Sequence, residues 1–318
     1  TMEFSVIKQY GEDLTRKTYV TNPAIAREEE IKKLIMVLLT PEKSGLLIGK
    51  AGIGKTAIVE GLAYLIQRNE VPDALKGYRI IKINSTSLLG KMDIDGKEEM
   101  IIQMLVRELK ETEKTILFID EIHTLIGGKQ DGPMDLANIL KPALDRGDIK
   151  AIGATTTQEY DTYIIRDRAF LRRFERIDVL EPDEATTVKI LIGSLPKIEK
   201  QTGCKFKYND YVTKMLIESI VSATSEYKRV YGLAAMYPDV AFSVLTGAFS
   251  QALFDNRNEV DVLDVYNAIK VSKRIYPDSI IKELAAFREK FGDFCKEQNI
   301  ELPIVSIDEI KGESDFYW

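Results

Sequence analysis

The residues with the clearest chemistry stand in a row from Gly49 to Thr56 and follow the pattern GxxxxGK[ST]. The glycines let the backbone curl until its N–H groups point inward, and a helix N-terminus after the loop adds partial positive charge. Lys55 would reach the β- and γ-phosphates of a nucleotide, and the Thr56 hydroxyl would ligate Mg²⁺. The spacing therefore predicts a loop that binds a nucleoside triphosphate. The predicted contacts are Gly49, Lys50, Ala51, Gly52, Ile53, Gly54, Lys55, Thr56 and Ala57.

A second group of residues could hold the metal and activate water. An apolar run at 115–119 ends in Asp120 and Glu121. A buried strand that ends in acids delivers them to the edge of an open α/β sheet where ligands bind. Asp120 would hold the Mg²⁺ shell, directly or through water, and Glu121 would be the general base. Alone, the run could also be a strand ending in an acidic turn. Next to the glycine loop it predicts hydrolysis of a nucleoside triphosphate.

A sheet must position these residues, and the chain alternates apolar strands with helices from residue 25 to about 180. Such alternation is typical of a parallel sheet flanked by helices. The predicted fold class is therefore α/β, a P-loop nucleoside triphosphatase sheet followed by a smaller all-helical domain. Strands are predicted near 45–48, 79–84, 115–119, 150–154 and 176–180, and a helix is predicted at 57–63, directly after the loop.

The alternation stops at Glu181-Pro182-Asp183, and the pattern after it is helical. Asn209 is a predicted N-cap, Pro238 suits a first helical turn, and Asp261 with Asp264 forms a plausible cap. The predicted helices lie at 184–199, at 210–224, at 238–255, after Asp261 and from 276 onward. The predicted domains are a nucleotide-binding α/β domain at 1–180, a small helical lid domain at 181–275, and a C-terminal helical extension and tail at 276–318.

Composition limits the class of protein. With 318 residues, 45% hydrophobic and 30% charged, the chain has the content of a soluble globular protein and length for two domains. Its net charge of −6 argues against a basic surface that follows nucleic-acid phosphates. Two distant cysteines fit reduced thiols, and no apolar stretch approaches the ~20 residues of a membrane span. We expect a cytoplasmic protein with no nucleic-acid or membrane partner, and Met2 as the native start.

Five stretches of the chain carry a resemblance to one family: 10–15, 23–31, 49–63 with 70–72 and 75–77, 119–125 with 131–135 and 140–144, and 152–156 with 159–160 and 171–174. Together they resemble the first nucleotide-binding domain of the Clp-type AAA+ unfoldases and disaggregases. The similarity runs from about residue 8 to 195, more faintly to 275, and is far more specific than a glycine loop alone. The resemblance implies an ATPase that forms a ring, expected to be a hexamer, and that requires ATP and Mg²⁺. It also implies that the protein acts as a chaperone on protein clients.

The resemblance also implies roles for particular residues. Thr156 matches the first sensor, a polar side chain between the acids and the γ-phosphate. Arg172 and Arg173 match paired arginines that reach the nucleotide of a neighbouring subunit. The alternative for these two is a solvated basic turn beside Arg166 and Arg168.

Around the base of the nucleotide, Ile25 and Ala26 match an adenine-contacting turn in which the family normally has glycine at the second position. Asp239 lies in the turn that opens the helix under the nucleotide, where no arginine stands as a second sensor. His123, the single histidine, is interpreted as structural, hydrogen-bonding within the sheet or a flanking helix, because no metal ligands accompany it.

One departure concerns the loop that grips polypeptide in the family's central channel. It normally carries an aromatic residue between glycines, whereas residues 89–97 here contain none. Met92 or Ile94 could supply an apolar grip, and Asp93 with Asp95 would bring negative charge; an ordinary acidic turn is the alternative. Nothing in the 318 residues matches the family's N-terminal, middle or second ATPase domains.

Two functions therefore remain open. The first is an ATPase ring that unfolds or remodels protein. The second is an ATPase switch that controls assembly and release of a partner complex without threading, with the 89–97 loop or the 276–318 tail as contact surface. A nucleic-acid loader of the same superfamily is disfavoured by the acidic balance of the chain.

Overall fold

A computed structural model describes residues 4–126, 136–145, 149–233 and 236–313. The matching stretch at 131–135 lies outside the described residues, as does the end of the predicted tail from 314. The described residues form two compact units, each with its own hydrophobic core. The first unit holds the chain up to Lys50 and from Gly54 to Leu180. The second holds Ala51–Ile53 and the chain from Glu181 onward.

In the described part of the first unit, six strands form the main sheet. The order across it is β1-β3-β6-β7-β2-β8, with β1 antiparallel to β3 and the other pairs parallel. All five strands expected from the apolar runs are therefore confirmed. The strands are β1 (Gly11–Asp13), β2 (Ser44–Ile48), β3 (Arg79–Asn84), a separate hairpin of β4 (Lys91–Ile94) and β5 (Lys97–Met100), β6 (Thr115–Asp120), β7 (Ile149–Thr155) and β8 (Phe174–Asp178).

Helices surround this sheet, and the expected helix after the glycine loop is confirmed as the one that begins at Lys55. It buries a stripe that includes Ile58, Leu62 and Ile66 at intervals of four residues, the spacing of one helix face. The helices of this unit are α1 (Val6–Tyr10), α2 (Glu28–Leu39), α3 (Lys55–Gln67), α4 (Ser85–Leu88), α5 (Ile101–Glu111), α6 (Leu136–Asp145), α7 (Thr157–Glu159), which continues as a π-turn (Tyr160–Ile164), and α8 (Arg168–Arg173); short 3₁₀ turns span Asp73–Leu75 and Ile122–Leu125.

The register of the sheet decides which side chains share its edge. Ile48 of β2 lies beside Thr155 of β7, and Ile119 of β6 lies beside Gly153. Because these strands are parallel, their carboxyl ends lie on one edge, and β7 stands between β2 and β6. The chain segments that leave these three strands are the glycine loop, the acidic pair and the segment that starts at Thr156.

The second unit is mainly helical, as expected, with one short parallel strand pair that the sequence pattern did not predict. The side chain of Asn209 accepts the Val212 N–H, and Asp261 with Asp264 forms a reciprocal capping box, so these expected caps are confirmed. The elements are α9 (Glu184–Thr202), β9 (Lys205–Phe206), α10 (Asp210–Ala223), a 3₁₀ turn (Glu226–Lys228), α11 (Asp239–Phe254), β10 (Glu259–Val260), α12 (Val262–Lys270), α13 (Pro277–Glu297) and α14 (Ile307–Glu313).

The C-terminal helices pack on the same core as the earlier helices of this unit. Helix α13 turns Ile280, Leu284, Phe287 and Phe291 into that core at helical spacing. Ile310 of α14 is buried in it as well. None of the described helices is both long and apolar enough to cross a bilayer.

Candidate nucleotide-hydrolysis site

The glycine loop leaves β2 at Gly49 and becomes α3 at Lys55. Gly52 has a φ of 79° and Gly54 a φ of 106°, both in the left-handed region that other residues rarely adopt. Gly54 is also the N-cap of α3, so the free N–H groups of that helix begin immediately after the loop. These two glycines are the physical reason for the sequence pattern, and the loop has the conformation that brings helix N–H groups toward an anion.

The Lys55 ammonium is folded back onto its own loop. Its Nζ donates to the carbonyl oxygens of Gly49 at 2.5 Å and Lys50 at 3.1 Å. Burial lowers the pKa of Lys55, and the nearby Asp120 carboxylate opposes that shift. This half-buried ammonium now has only neutral carbonyl partners. A hydrogen bond to a charged phosphate oxygen would stabilise it more strongly.

Thr156 lies at the same edge, directly after β7, the strand that stands between β2 and β6. The Gly49 N–H donates to the Thr155 carbonyl at 3.2 Å, which ties the start of the loop to the end of β7. The Thr156 side chain caps α7 by accepting the Glu159 N–H at 3.1 Å. The structure thus brings Thr156 to the sheet edge shared by the loop and the acidic pair.

The two acids at the end of β6 differ in setting. Asp120 is half-buried, and its Oδ1 accepts the Glu121 N–H at 2.8 Å, which orients the carboxylate. Glu121 is exposed and has a φ of 50°, a left-handed conformation that costs a non-glycine residue of order 1–2 kcal/mol. Its carbonyl accepts both the N–H and the hydroxyl of Thr124 at 3.0 Å, so the 3₁₀ turn holds it there.

The chemistry of these donors fits a magnesium nucleotide. Mg²⁺ prefers oxygen ligands and is commonly held by one carboxylate together with nucleotide phosphates and water. Asp120 provides a fixed carboxylate, and Thr56, half-buried in the first turn of α3, provides a hydroxyl beside the loop. Bound Mg²⁺ would neutralise charge on the phosphates, and these two residues would hold it.

The hydrogen bond within the sheet that was expected of His123 is confirmed. Its Nδ1 lies 2.9 Å from Oγ1 of Thr155, so the histidine hydrogen-bonds to a strand of the sheet. Thr155 was not among the residues predicted from the sequence. The signal that could have found it is a hydroxyl at the last position of a buried strand, since a buried hydroxyl needs a partner.

The adenine turn predicted at Ile25 and Ala26 packs against α3. A Cβ at Gly61 would lie 2.3 Å from the Cβ of Ala24, so only glycine allows this close approach. Arg27, next in the chain and 6% exposed, donates to Glu30 at 3.2 Å and to the Leu180 carbonyl at 3.0 Å. Sequence reasoning missed Arg27, although a glutamate three residues later is a signal for such a pair.

Ala26 itself has a φ of 60°, which explains why the resembling family carries glycine there. Replacing Ala26 by glycine is therefore expected to stabilise the first unit by about 1 kcal/mol, because the left-handed conformation no longer costs energy. Chemical denaturation without nucleotide measures the change in the free energy of unfolding. The unfolding transition of the first unit is identified beforehand as the one that added ADP shifts. The control is Ala74→Gly in the exposed 3₁₀ turn, where the same change should destabilise by about 0.5–1 kcal/mol. Equal shifts in the two variants would contradict the prediction.

The structure places Arg172 and Arg173 away from this edge. They end α8 directly before β8, whose first residue, Phe174, lies beside Ser44 of β2. The Lys43 ammonium donates to the Arg172 carbonyl at 2.8 Å. Both arginines thus lie at the amino ends of these strands. Arg173 is level with Lys43, six residues before Gly49, which is about 20 Å at ~3.3 Å per residue. They are not brought together with the loop of their own chain.

In the second unit, Asp239 begins α11. Its N–H donates to the Gly52 carbonyl at 3.3 Å, and its carboxylate pairs with Arg274 at 2.9 Å. Residues 237–241 contain no arginine, and the fold pairs Asp239 with Arg274 from a later segment. Such a partner, 35 residues away, has no local sequence signal.

Residues 89–97, compared above with the family's channel loop, lie mainly in a β-hairpin. Strands β4 and β5 form a hairpin whose turn, Asp95-Gly96, has left-handed φ values of 52° and 80°. Met92 and Ile94 are half-buried against the core of the first unit, and the Tyr10 hydroxyl lies 3.5 Å from the Met92 sulfur. The exposed side chains of the hairpin include Asp93 and Asp95. Both apolar residues that were expected to offer a grip therefore face the protein.

A mainly parallel sheet with a glycine loop after β2 and two acids at the end of β6 defines the fold of a P-loop nucleoside triphosphatase. Residues 45–181 match the family described as "ATPase family associated with various cellular activities (AAA)". Residues 45–181 thus form an AAA ATPase domain, and the chain is similar over nearly its whole length to a single AAA domain of the Clp type.

Two curated relatives match this chain over most of its length. The chain is 35% identical to a chaperone protein ClpB of Porphyromonas gingivalis over 99% of its own length and 35% of that protein. It is 39% identical to a probable ATP-dependent Clp protease ATP-binding subunit of Chlamydia pneumoniae over 77% of its length and 28% of that protein. The chain therefore spans about a third of the curated relatives it matches.

Solved structures agree. A closed-state reconstruction of Hsp104 with ATPγS and FITC casein matches with a TM-score of 0.71 and 31% identity, over 98% of this chain and 52% of that one. A Saccharomyces cerevisiae Hsp104–ADP complex matches with a TM-score of 0.65.

Proposed function

We propose that this chain assembles into a ring, as a hexamer, and couples Mg-ATP hydrolysis to the remodelling of protein. Glu121 activates water, Thr156 senses the γ-phosphate, and Thr56 with Asp120 holds Mg²⁺. The loop from Gly49 to Ala57 binds the phosphates. Ile25, Ala26 and Asp239 contact the remainder of the nucleotide. The α/β domain at 1–180 carries this chemistry, the lid at 181–275 responds to it, and 276–318 extends the lid.

One observation supports the proposed assembly: Arg172 and Arg173 are separated from the glycine loop of their own chain. Arg172 and Arg173 lie at the amino ends of β2 and β8, whereas Gly49, Asp120 and Thr156 lie at the carboxyl ends of their strands. An arginine side chain cannot cross about 20 Å. If these guanidinium groups stabilise the transition state, they must do so in another copy of the chain, and hydrolysis then depends on assembly.

Replacing Arg173 by alanine is expected to lower turnover by about 10³-fold, the usual contribution of an arginine supplied in trans. Nucleotide affinity of the isolated subunit should remain close to that of the wild type. Mixing Arg173→Ala with Glu121→Gln should then restore activity, because some interfaces pair an intact base with an intact arginine. Steady-state turnover of mixtures at several ratios measures this, and Arg172→Ala is tested in the same way.

The matched control is Arg166→Ala, an exposed arginine of the same segment to which no role is assigned. It should leave turnover within about twofold, as expected for a solvated surface charge. A mixture with no activity at any ratio, together with a wild type that is monomeric by light scattering in ATPγS, would show that Arg172 and Arg173 are surface residues and would overturn the proposed assembly.

Remodelling of protein is supported by the Clp-type relatives, and one observation favours a second candidate. Because Met92 and Ile94 pack inward while Asp93 and Asp95 are exposed, the hairpin offers charge where a threading ring would need an apolar grip. The second candidate is therefore the ATPase switch without threading. Stimulation of turnover by unfolded casein supports remodelling, and its absence in an assembled, active ring supports the switch.

The partners that we propose are copies of this chain and a protein client or partner complex, without nucleic acid or membrane. Cys204 and Cys295 are both buried and free, as in a reducing compartment, and we infer a cytoplasmic location from them.

A further inference from the structure

The turn that carries Glu121 is fastened to β7 at two neighbouring positions. At the first, Ile122 packs so closely on Gly153 that a Cβ there would lie 2.8 Å from its Cδ1. At the second, Nδ1 of His123 lies 2.9 Å from Oγ1 of Thr155. Both contacts join residues directly after Glu121 to the strand that leads into Thr156.

The imidazole is oriented from a second direction as well. The ring of Tyr163 lies nearly parallel to that of His123, with an interplanar angle of 14° and centroids 6.4 Å apart. Tyr163 belongs to the π-turn that follows α7, and Thr156 is the N-cap of α7. His123 therefore touches the strand before Thr156 and the helical segment after it.

The contact between His123 and Thr155 satisfies a group that would otherwise be costly. Thr155 is only 2% exposed, and a hydroxyl buried without a partner destabilises a protein. Removing the histidine nitrogen would leave the hydroxyl without this partner and would free the turn at the same time. The left-handed backbone conformation of Glu121 is strained and persists only while its surroundings hold it. Loss of the contact is therefore expected to let the turn shift toward an unstrained conformation.

We propose that His123 and Thr155 are positioning residues for ATP hydrolysis, which fix the Glu121 carboxylate relative to Thr156. The inference rests on the proposed role of Glu121 as the base. Neither residue is required to touch the nucleotide: His123 acts through the 3₁₀ turn, and Thr155 acts by anchoring that turn to β7. A shift of this turn would move the base relative to the attacking water, and misplacement of a catalytic group lowers the rate of the chemical step.

The test uses the fact that His123 is the only histidine in the chain. Labelling histidine with ¹⁵N and ¹³C gives ring resonances from one residue, and these report whether the contact forms in solution. Thr155→Val removes the hydroxyl at nearly constant shape, whereas Thr155→Ser retains it. His123→Phe removes the nitrogen from the other side and keeps an aromatic ring beside Tyr163, so the test survives if one variant folds poorly.

We expect Thr155→Val to shift the histidine resonances and to lower kcat about tenfold, the effect of one lost hydrogen bond on the barrier. The dissociation constant for ADP should stay within about twofold of the wild type, because the phosphate loop is unchanged. Thr155→Ser should preserve both the resonances and kcat. The double variant Thr155→Val/His123→Phe should be no slower than the slower single variant, since both remove the same contact.

Three results would overturn the proposal. One is a resonance pattern that Thr155→Val leaves unchanged, which would mean that the contact is absent in solution. Another is a wild-type kcat in Thr155→Val despite shifted resonances. The last is an equal loss of kcat and ADP affinity that Thr155→Ser shares, which indicates general destabilisation. Each differs from failure of the proposed base, for which Glu121→Gln would itself turn over near the wild-type rate.

Discussion

Replacing Glu121 by glutamine is expected to stop ATP turnover while ATP binding remains. The amide cannot accept the proton of the attacking water, and the loss of a general base lowers kcat by about 10²–10⁴-fold. Binding should persist because Glu121 is exposed, and the phosphate loop and Asp120 stay in place. Single-turnover hydrolysis gives the rate of the chemical step, and titration with ATPγS gives the affinity.

The control for this variant is Glu111→Gln, an exposed glutamate at the end of α5 to which no role is assigned. Its turnover should match the wild type, which would show that removing one surface carboxylate has no general effect. Turnover by Glu121→Gln near the wild-type rate would show that another group activates the water, and the role of Glu121 would have to be given up.

Replacing Lys55 by alanine is expected to abolish tight binding of ATP, by at least about a hundredfold. The ammonium now donates to two neutral carbonyls, and in the complex it would donate to charged phosphate oxygens, each such bond being worth about 1.5–3 kcal/mol. The loss should be larger for ATP than for ADP, because the γ-phosphate is one of the groups Lys55 would reach. Calorimetric titration with ADP and with ATPγS measures both.

Lys33→Ala is the matched control, since Lys33 is exposed on α2 and has no proposed role in binding. It should bind both nucleotides as the wild type does. An unchanged affinity in Lys55→Ala, with the fold intact by circular dichroism, would contradict the assignment of this loop as the phosphate site.

Much of this site could be predicted from the sequence because its signals are local. The loop from Gly49 to Thr56 needs glycine where φ is positive, and a continuous apolar run such as 115–119 forms a buried strand wherever it lies in a sheet. The helix caps at Asn209 and Asp261 involve residues three positions apart. Interactions between residues that are close in the chain depend on residue types at a fixed spacing, so the sequence alone reveals them.

Other elements were missed because their local signal is weak or misleading. Strand β1, Gly11-Glu12-Asp13, has no apolar alternation and forms because it pairs with β3. In the hairpin, Met92 and Ile94 alternate with acids, a pattern that shows one face is apolar without showing what that face meets. In the structure this apolar face packs against the core of the first unit, a long-range contact that the sequence pattern does not specify.

The sequence by itself therefore determined the candidate site residues: a glycine loop, a pair of acids and the strands that deliver them. Only the tertiary structure decided the placement of residues that are distant in the chain. The order of the sheet puts Arg173 at the opposite ends of the strands from Gly49, and it brings His123 within hydrogen-bonding distance of Thr155. The physical reason is that strand order and register are fixed by burial of the whole sheet, a property that no short segment carries.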